Sequence, residues 1–319
     1  MNDSVISATN LENGEGAGSL KQKGTVTIGG YSGNVKTQAL GPASVALNGL
    51  YKPGQGLTPD SQGVIAAGPG SFAGGKDTTA YQACSFAFGG GNKAGLTEAE
   101  FNAKYPSGKD AHGKTYTESY SFATAEGVTT KATGYASHAE NEGTIASGHR
   151  SHASGQETEA TGNRSFAAGY KSHATNTNDF AIGEETVASG YNSFAQGFKS
   201  QATEYAATAL GENTEAKGKG SLASGFYSQA NGDYSVALGY GCIAGGDQSI
   251  ALGRNNKTTV DYQFVCGTYC TENTPDALLV VGNGTANTTK DRSNAFEVLK
   301  DGRAKVFKAP QGDNDIVRW

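Results

Sequence analysis

The most regular feature of this sequence is an alanine at every seventh position. From Ala125 to Ala251 it recurs nineteen times, and glycine stands two residues later in sixteen of these units, the exceptions being Asn141, Asn176 and Glu204. Most units have serine or threonine two residues before the alanine. A glycine in every unit would cost a helix about 1 kcal/mol each, so the heptad does not indicate a coiled coil. The pattern S/T-x-A-x-G-x-x instead predicts a short strand followed by a tight turn.

Adjacent heptads differ in the residues that flank the alanine, so the true repeat is fourteen residues long. In alternate units the flanking residues are mostly apolar, and in the units between them they are mostly polar, as at Glu159, Gln201 and Gln229. Neighbouring residues on a strand point to opposite faces. We therefore predict a β-solenoid with 14-residue coils, in which alanine faces an interior too narrow for a larger side chain and the flanking residues point outward.

One strand of each predicted coil has an apolar outer face that a lone solenoid would leave exposed along its length. Contiguous apolar patches of that size mark an interface. Three rolls packed around an axis would cover the stripe with closed symmetry, although two copies would also fit geometrically. The predicted interface residues are Phe166, Phe180, Ile182, Phe194, Leu210, Leu222, Val236, Leu238, Ile250 and Leu252.

Breaks in the register divide the chain into five predicted segments. Thr97-Glu98-Ala99-Glu100 has the pattern of a capping box and predicts a short helix through Tyr105. After Arg254 we expect the period to end, and residues 300–303 predict a hairpin turn. The segments are an N-terminal attachment or cap at 1–36, a first β-roll segment at 37–95 with a loop insert at 49–63, an inserted loop with a short helix at 96–122, the main β-roll at 123–256, and a small C-terminal β-hairpin tip or adaptor at 257–319.

The unit S-x-A-x-G, as in Ser165-Phe166-Ala167-Ala168-Gly169, resembles the head repeats of trimeric adhesins of the YadA type. The resemblance is strict over residues 123–254, and weaker copies such as Ser44-Val45-Ala46-Leu47 extend it. It implies an all-β fold, namely a left-handed parallel β-roll in an obligate homotrimer. It also implies a protein that binds surfaces and has no catalytic residues.

Three further phrases resemble bacteriophage tail-fibre and appendage proteins, at residues 10–14, 280–285 and 292–298. The sequence shows no secretory signal, long stalk or membrane anchor, so we expect a virion protein made in the host cytoplasm. The resemblance implies a structural and adhesive fibre. Its expected partners are its own copies, other virion proteins through one terminus, and a host surface glycan or protein. The alternatives are a bacterial trimeric adhesin head at the cell surface and a glycan-degrading tailspike.

Composition narrows the classes of function further. The chain has 25 basic and 30 acidic residues, a net charge of −5, so we expect no nucleic-acid partner. No stretch approaches eighteen apolar residues, so we expect no membrane insertion by a helix. The 47 glycines and a hydrophobic content of 36% argue against a thick globular core. The four scattered cysteines predict reduced thiols rather than a disulfide framework.

Candidate chemistry is sparse, and no nucleophile elbow or phosphate-binding loop stands out. We therefore expect no enzymatic activity and no cofactor, and we assign no metal site. His138 and His152 take the outward position that Phe166 occupies one coil later, and in a trimer each would form a ring of three imidazoles. This makes them a candidate axial ion site, for a metal or for an anion if they are protonated.

The large insert carries the candidate receptor contacts. Aromatic faces there could stack on sugars, although they could equally pack the insert onto the roll. The candidate residues are Tyr105, Tyr116 and Tyr120.

Overall fold

The computed structural model describes residues 37–39, 45–48, 64–67, 70–110, 114–115, 121–271 and 274–307. The chain divides into two compact units, Met1–Lys171 and Ser172–Trp319. The predicted N-terminal attachment segment and the insert at 49–63 lie outside the described residues.

In the first unit, longer strands alternate with shorter ones along the chain. The longer strands are β2 (Val45–Asn48), β4 (Phe72–Lys76), β6 (Phe86–Gly90), β8 (Thr124–Val128), β10 (His138–Glu142), β12 (His152–Gln156) and β14 (Phe166–Tyr170). The shorter strands are β1 (Thr37–Ala39), β3 (Val64–Ala66), β5 (Thr79–Ala80), β7 (Lys93–Ala94), β9 (Lys131–Ala132), β11 (Ile145–Ala146) and β13 (Glu159–Ala160). A single helix in the described part of this unit, α1, spans Glu98–Lys104.

The second unit continues the same alternation and ends in three strands of a different kind. The longer strands are β16 (Phe180–Glu184), β18 (Phe194–Phe198), β20 (Thr208–Glu212), β22 (Leu222–Phe226), β24 (Val236–Tyr240), β26 (Ile250–Arg254) and β28 (Phe264–Thr268). The shorter strands are β15 (His173–Ala174), β17 (Val187–Ala188), β19 (Gln201–Ala202), β21 (Glu215–Ala216), β23 (Gln229–Ala230), β25 (Ile243–Ala244) and β27 (Lys257–Thr258). The last three strands are β29 (Ala277–Asn283), β30 (Asn294–Leu299) and β31 (Ala304–Val306).

Within each unit the longer strands form one parallel ladder and the shorter strands form another. The register joins His138 to His152 in the first unit and Phe194 to Thr208 in the second, fourteen residues apart in each case. The predicted all-β solenoid with 14-residue coils is therefore confirmed.

The interior of the coils is lined by the repeat alanines. All of those from Ala125 to Ala251 are 0% exposed. The hydroxyl residues two positions earlier, such as Ser165 and Thr186, are buried as well. The two strand walls of each coil therefore approach to the distance that a methyl or hydroxyl group allows.

The buried hydroxyls donate hydrogen bonds to glycine carbonyls in a recurring pattern. Ser200 Oγ donates to the carbonyl of Gly211 on the next long strand at 2.7 Å. Ser151 Oγ instead closes its own turn by donating to the carbonyl of Gly148 at 2.8 Å. Buried polar groups need such partners, so the S-x-A-x-G pattern supplies donor and acceptor together.

In the long strands from β8 to β26 glycine stands two residues after the alanine except at Asn141 of β10, and Gly197 shows why it is favoured there. Its φ is +122°, and a Cβ there would lie 1.9 Å from the Gly211 carbonyl oxygen of the neighbouring coil. A side chain would therefore need both an unfavourable backbone conformation and a wider coil spacing.

The large insert leaves the ladder intact. Phe86 of β6 pairs with Thr124 of β8, thirty-eight residues later, which is one 14-residue coil plus twenty-four inserted residues. The predicted capping box is present, since the Thr97 side chain accepts from the Glu100 backbone N–H and the Glu100 side chain accepts from the Thr97 backbone N–H. Phe101 buries the inner face of α1.

The roll does not end after Arg254, which corrects the predicted boundary at residues 256 and 257. Strands β27 and β28 continue the two ladders in the same register, with Ile250 paired to Phe264. Thr258 and Val265 replace the repeat alanine and are buried in its place, so the spatial period outlasts the alanine pattern. Strand β29 then adds in parallel, and β30 and β31 follow antiparallel.

The width of the interior gives the first testable prediction. Ala195→Leu adds three carbon atoms where the coil admits a methyl group, and we expect a loss of roughly 1–3 kcal/mol or more in the free energy of unfolding. Gln196→Leu places the same side chain one residue further along, on the outer face, and serves as the control. Denaturant unfolding of both variants measures the difference. Equal stabilities would show that the interior is not the narrow one described.

Asp179 is an exception among the buried residues that precede the alanine. Its carboxylate accepts from the Ser193 N–H at 3.0 Å, the Ser193 hydroxyl at 2.9 Å and the Asn176 N–H at 2.7 Å. Burial raises the pKa of Asp179 above its ordinary value of 3.8, although these hydrogen bonds lower it in part. Ionised Asp179 is therefore less favourable in the folded chain than in the unfolded one.

Replacing Asp179 by the serine of the repeat should change the pH dependence of stability. Because the folded-state pKa is raised, the native chain loses stability as the pH rises from the unfolded-state value, about 3.9, through the folded-state value. Asp179→Ser lacks this loss, so its stability relative to the native chain should increase between about pH 3.5 and pH 7. Urea unfolding across that range measures it, with exposed Glu184→Gln as the control. A constant difference would contradict the prediction.

Candidate functional site

The outer face of the long strands carries the predicted interface residues. Phe166 lies in the first unit and the other nine lie in the second, all on long strands and all at least partly exposed. In the second unit they stand in register across the ladder, with Leu222 paired to Val236 and Leu238 paired to Leu252. Phe180 is 38% exposed, with its ring 5.5 Å from that of Phe194. The structure thus forms the predicted apolar stripe in both units, and its role in assembly stays a prediction.

The stripe has further members that were not predicted from the sequence. Phe72 and Phe86 stack on neighbouring strands of the first unit with ring centroids 4.9 Å apart, and Phe88 packs beside them. In the second unit Phe264 continues the ladder beyond the predicted end of the roll. These members could have been predicted from the sequence, because Phe72, Phe86 and Phe264 each stand directly before a position of the seven-residue alanine repeat.

His138 and His152 interrupt this apolar face in the first unit. Their rings stack with centroids 4.8 Å apart, and the ring of Phe166 meets that of His152 edge-on at 5.1 Å. Glu140 lies beside both histidines, with carboxylate oxygens 3.9 Å from His138 Nε2 and 3.5 Å from His152 Nε2. The structure therefore brings the predicted pair together and adds a carboxylate to it.

The charge state of Glu140 follows from its neighbours. A hydrogen bond from Ser154 is the largest influence on the pKa of Glu140 and lowers it; burial opposes this effect, and the two imidazoles lower the pKa further. Glu126 on β8 completes the group, because one ligand atom each of Glu126, His138 and Glu140 lie within 4.8 Å of one another. Glu140 stands two residues after His138, and Glu126 stands fourteen residues before Glu140, so the repeat period was the sequence signal that could have placed these carboxylates beside the histidines.

Tyr105 packs against its own insert and the roll. Its hydroxyl lies 3.2 Å from His149 Nε2, and its ring centroid lies 4.9 Å from that of Phe101. Burial raises the pKa of Tyr105, and the charge of Asp110 adds to the effect. This arrangement favours a packing role for Tyr105, whereas Tyr116 and Tyr120 lie outside the described residues.

A second aromatic group lies on the outside of the second unit. The rings of Phe226 and Tyr240 stack at 5.2 Å, and Tyr227 meets Phe226 edge-on at 4.4 Å. The guanidinium of Arg254 lies 5.3 Å from the Tyr240 ring centroid and 5.4 Å from that of Tyr269. Tyr227 is 53% exposed and Tyr240 is 46% exposed. We call these five residues the aromatic cluster. Phe226, Tyr240 and Arg254 stand fourteen residues apart, so the repeat period was the sequence signal that could have found them.

The four cysteines are free in the structure. Burial raises the pKa of Cys242 and that of Cys270, the latter to about 12. Cys270 packs with Val265, Ala277, Val280 and Leu299 in a small apolar core. The thiols of Cys242 and Cys270 are therefore protonated packing groups at neutral pH.

The fold and its outer face define a class of protein, a β-solenoid of 14-residue coils with an apolar outer stripe. The family model of the YadA head domain repeat matches residues 160–186, 188–214, 216–241 and 244–262. The predicted resemblance to YadA-type heads is thereby supported over these residues. A search of curated proteins found no match to the chain. Within the described part of the chain, no helix has the length and apolarity to span a bilayer.

Proposed function

We propose that the protein is a homotrimeric adhesive fibre of a bacteriophage virion that binds the host cell surface. The observation that carries the proposal is the apolar stripe on the long strands. Within each unit it runs through consecutive coils in register and stays partly exposed in the single chain, while the outer residues of the short strands are mostly polar. A stripe of this kind requires a partner surface.

Copies of the same chain are the partner that fits best. The stripe repeats with the coil, so a second and a third copy can present the same face in the same order. Closed cyclic assembly covers every stripe and leaves no open end for further addition. The similarity to YadA head repeats favours three copies over two.

The virion assignment rests on a different observation, the phrases that resemble phage fibre proteins. The phrase at 292–298 has a structural role here, because Arg292 donates to the carbonyls of Asn255 and Cys270 and so ties the C-terminal strands to the last coils. A bacterial surface adhesin head is the second candidate. Antibodies against the chain that label phage particles would support the first, and labelling of uninfected cells would support the second.

We propose that the protein binds sugars rather than transforming them, and that the aromatic cluster is the surface that contacts them. Exposed aromatic faces stack on the apolar faces of sugar rings, and Arg254 adds hydrogen-bond donors for hydroxyl or acidic groups beside them. Tyr227 and Tyr240 hold the exposed positions in this group. The cluster lies at or just after the C-terminal ends of long strands, beyond the stripe residues that flank each alanine, and we propose that assembly leaves it open.

The proposed trimer predicts a particular mass in solution and an assembly that depends on the apolar residues of the stripe. Light scattering should give three times the chain mass of 32.7 kDa, about 98 kDa, for the unheated protein. Leu222→Lys places three ammonium groups close together in the buried axis, and we expect dissociation to 32.7 kDa chains or a clearly lower melting temperature.

Gln229→Lys is the matched control for this variant, because it adds the same charge to the short strand of the same coil. It should leave both the mass and the melting temperature unchanged. A native protein of 32.7 kDa would overturn the trimer.

Sugar binding gives a separate prediction. Tyr240→Ala should weaken binding to purified host polysaccharide about fivefold, the equivalent of ~1 kcal/mol for one aromatic contact. Tyr262→Ala removes a tyrosine that is 65% exposed and lies outside the aromatic cluster, so this variant should bind the polysaccharide as the native chain does. Surface plasmon resonance measures both variants. If incubation with the polysaccharide produced new reducing ends, the protein would be a glycan-degrading tailspike rather than an adhesive fibre.

A further inference from the structure

The strand register of the first unit brings to one face four side chains of the types that can ligate a metal ion. Glu126 of β8 pairs with Glu140 of β10, and His138 of β10 pairs with His152 of β12. All four lie at outward positions, so carboxylates and imidazoles form two adjacent rows. Neighbouring strands lie about 4.8 Å apart, which places each row within reach of a single ion.

The distances are close to those of a coordination shell. Ligand atoms of Glu126, His138 and Glu140 lie within 4.8 Å of one another, and His152 Nε2 lies 3.5 Å from a Glu140 oxygen. Ligand atoms around a tetrahedral zinc ion are about 3.4 Å apart, given bonds of about 2.0–2.1 Å. Shifts of up to about 1.4 Å in the ligand-atom separations would bring the Glu126, His138 and Glu140 atoms to that spacing.

A second observation points to a missing partner. The Nε2 atoms of His138 and His152 are shielded from solvent, and apart from the Glu140 carboxylate at 3.9 and 3.5 Å they have no hydrogen-bond partner. Buried polar atoms are normally satisfied, and an imidazole nitrogen without a partner is an available lone pair in the appropriate tautomer. Both unsatisfied atoms lie next to the same carboxylate.

The charges select the kind of ion. Glu126 and Glu140 bring two negative charges to the face, which opposes an anion and favours a divalent cation. Imidazole together with carboxylate suits zinc, nickel, cobalt or copper better than magnesium or calcium, which prefer oxygen ligands alone.

We propose that this face binds one divalent transition-metal ion through Glu126, His138 and Glu140, with His152 as the fourth ligand. The ion links β8, β10 and β12 and so ties three consecutive coils together at the point where the apolar stripe is interrupted. All four ligands belong to one chain, so the site does not depend on the proposed trimer.

Isothermal titration of zinc chloride into the full chain tests the proposal, using protein made without a histidine tag and freed of metal by a chelator. We expect one zinc ion bound per chain. Cobalt(II) in place of zinc should give the visible absorption of a tetrahedral nitrogen and oxygen site. His138→Phe/His152→Phe carries the residue that later coils have at this position, and it should bind zinc at least tenfold more weakly.

Two further variants separate a real site from general histidine binding. His173→Gln removes a histidine from the short strand β15, where later coils have glutamine, and should bind as the native chain does. Glu126→Gln/Glu140→Gln keeps the side-chain shapes and should lose binding even if the phenylalanine variant folds poorly. A native chain that binds no zinc, or equal loss in His173→Gln, would overturn the site. Light scattering on the same samples reports the trimer separately.

Discussion

The narrow interior of the coil is the constraint on which the rest of the structure depends. Because the two strand walls are separated by little more than one methyl group, most residues that point inward are alanine or a small hydroxyl residue, and larger ones such as Asp179 and Val265 are exceptions. Close approach of the walls also brings each buried hydroxyl within reach of a glycine carbonyl, which satisfies the polar groups that a dry interior would leave unpaired. The seven-residue spacing follows from this geometry, since each half-coil needs one inward methyl and one turn.

A coil that buries only small side chains gains little from a hydrophobic core, so its stability and its function both depend on the outer faces. The backbone ladders supply continuous hydrogen bonding within each unit, while the apolar stripe supplies the surface for assembly. The three kinds of outer residue differ in position: apolar residues face the proposed axis, the histidine and glutamate group interrupts that face in the first unit, and the aromatic cluster lies at or just after the C-terminal ends of long strands in the second unit.

The departures from the repeat show how the fold tolerates change. A twenty-four-residue insert enters between β6 and β8 without shifting the register, because the inserted chain leaves and re-enters at neighbouring strand ends. Asp179 occupies a serine position because the Asn176 and Ser193 amides and the Ser193 hydroxyl solvate its carboxylate. Thr258 and Val265 fill alanine positions at the end of the roll, where the apolar core around Cys270 begins.

The sequence by itself determined the repeat, the class of fold, the inward and outward positions and the apolar stripe, because all of these follow from residues at fixed short spacings. It did not determine where the roll ends, since Thr258 and Val265 keep the geometry after the alanine pattern has stopped. Only the tertiary structure showed that the Glu126 and Glu140 carboxylates lie against the histidine rings and that Phe226 and Tyr240 stack beside Arg254. Glu140 shares strand β10 with His138, whereas the other contacts join residues of neighbouring strands, so they depend on the register and side-chain direction of the folded ladder.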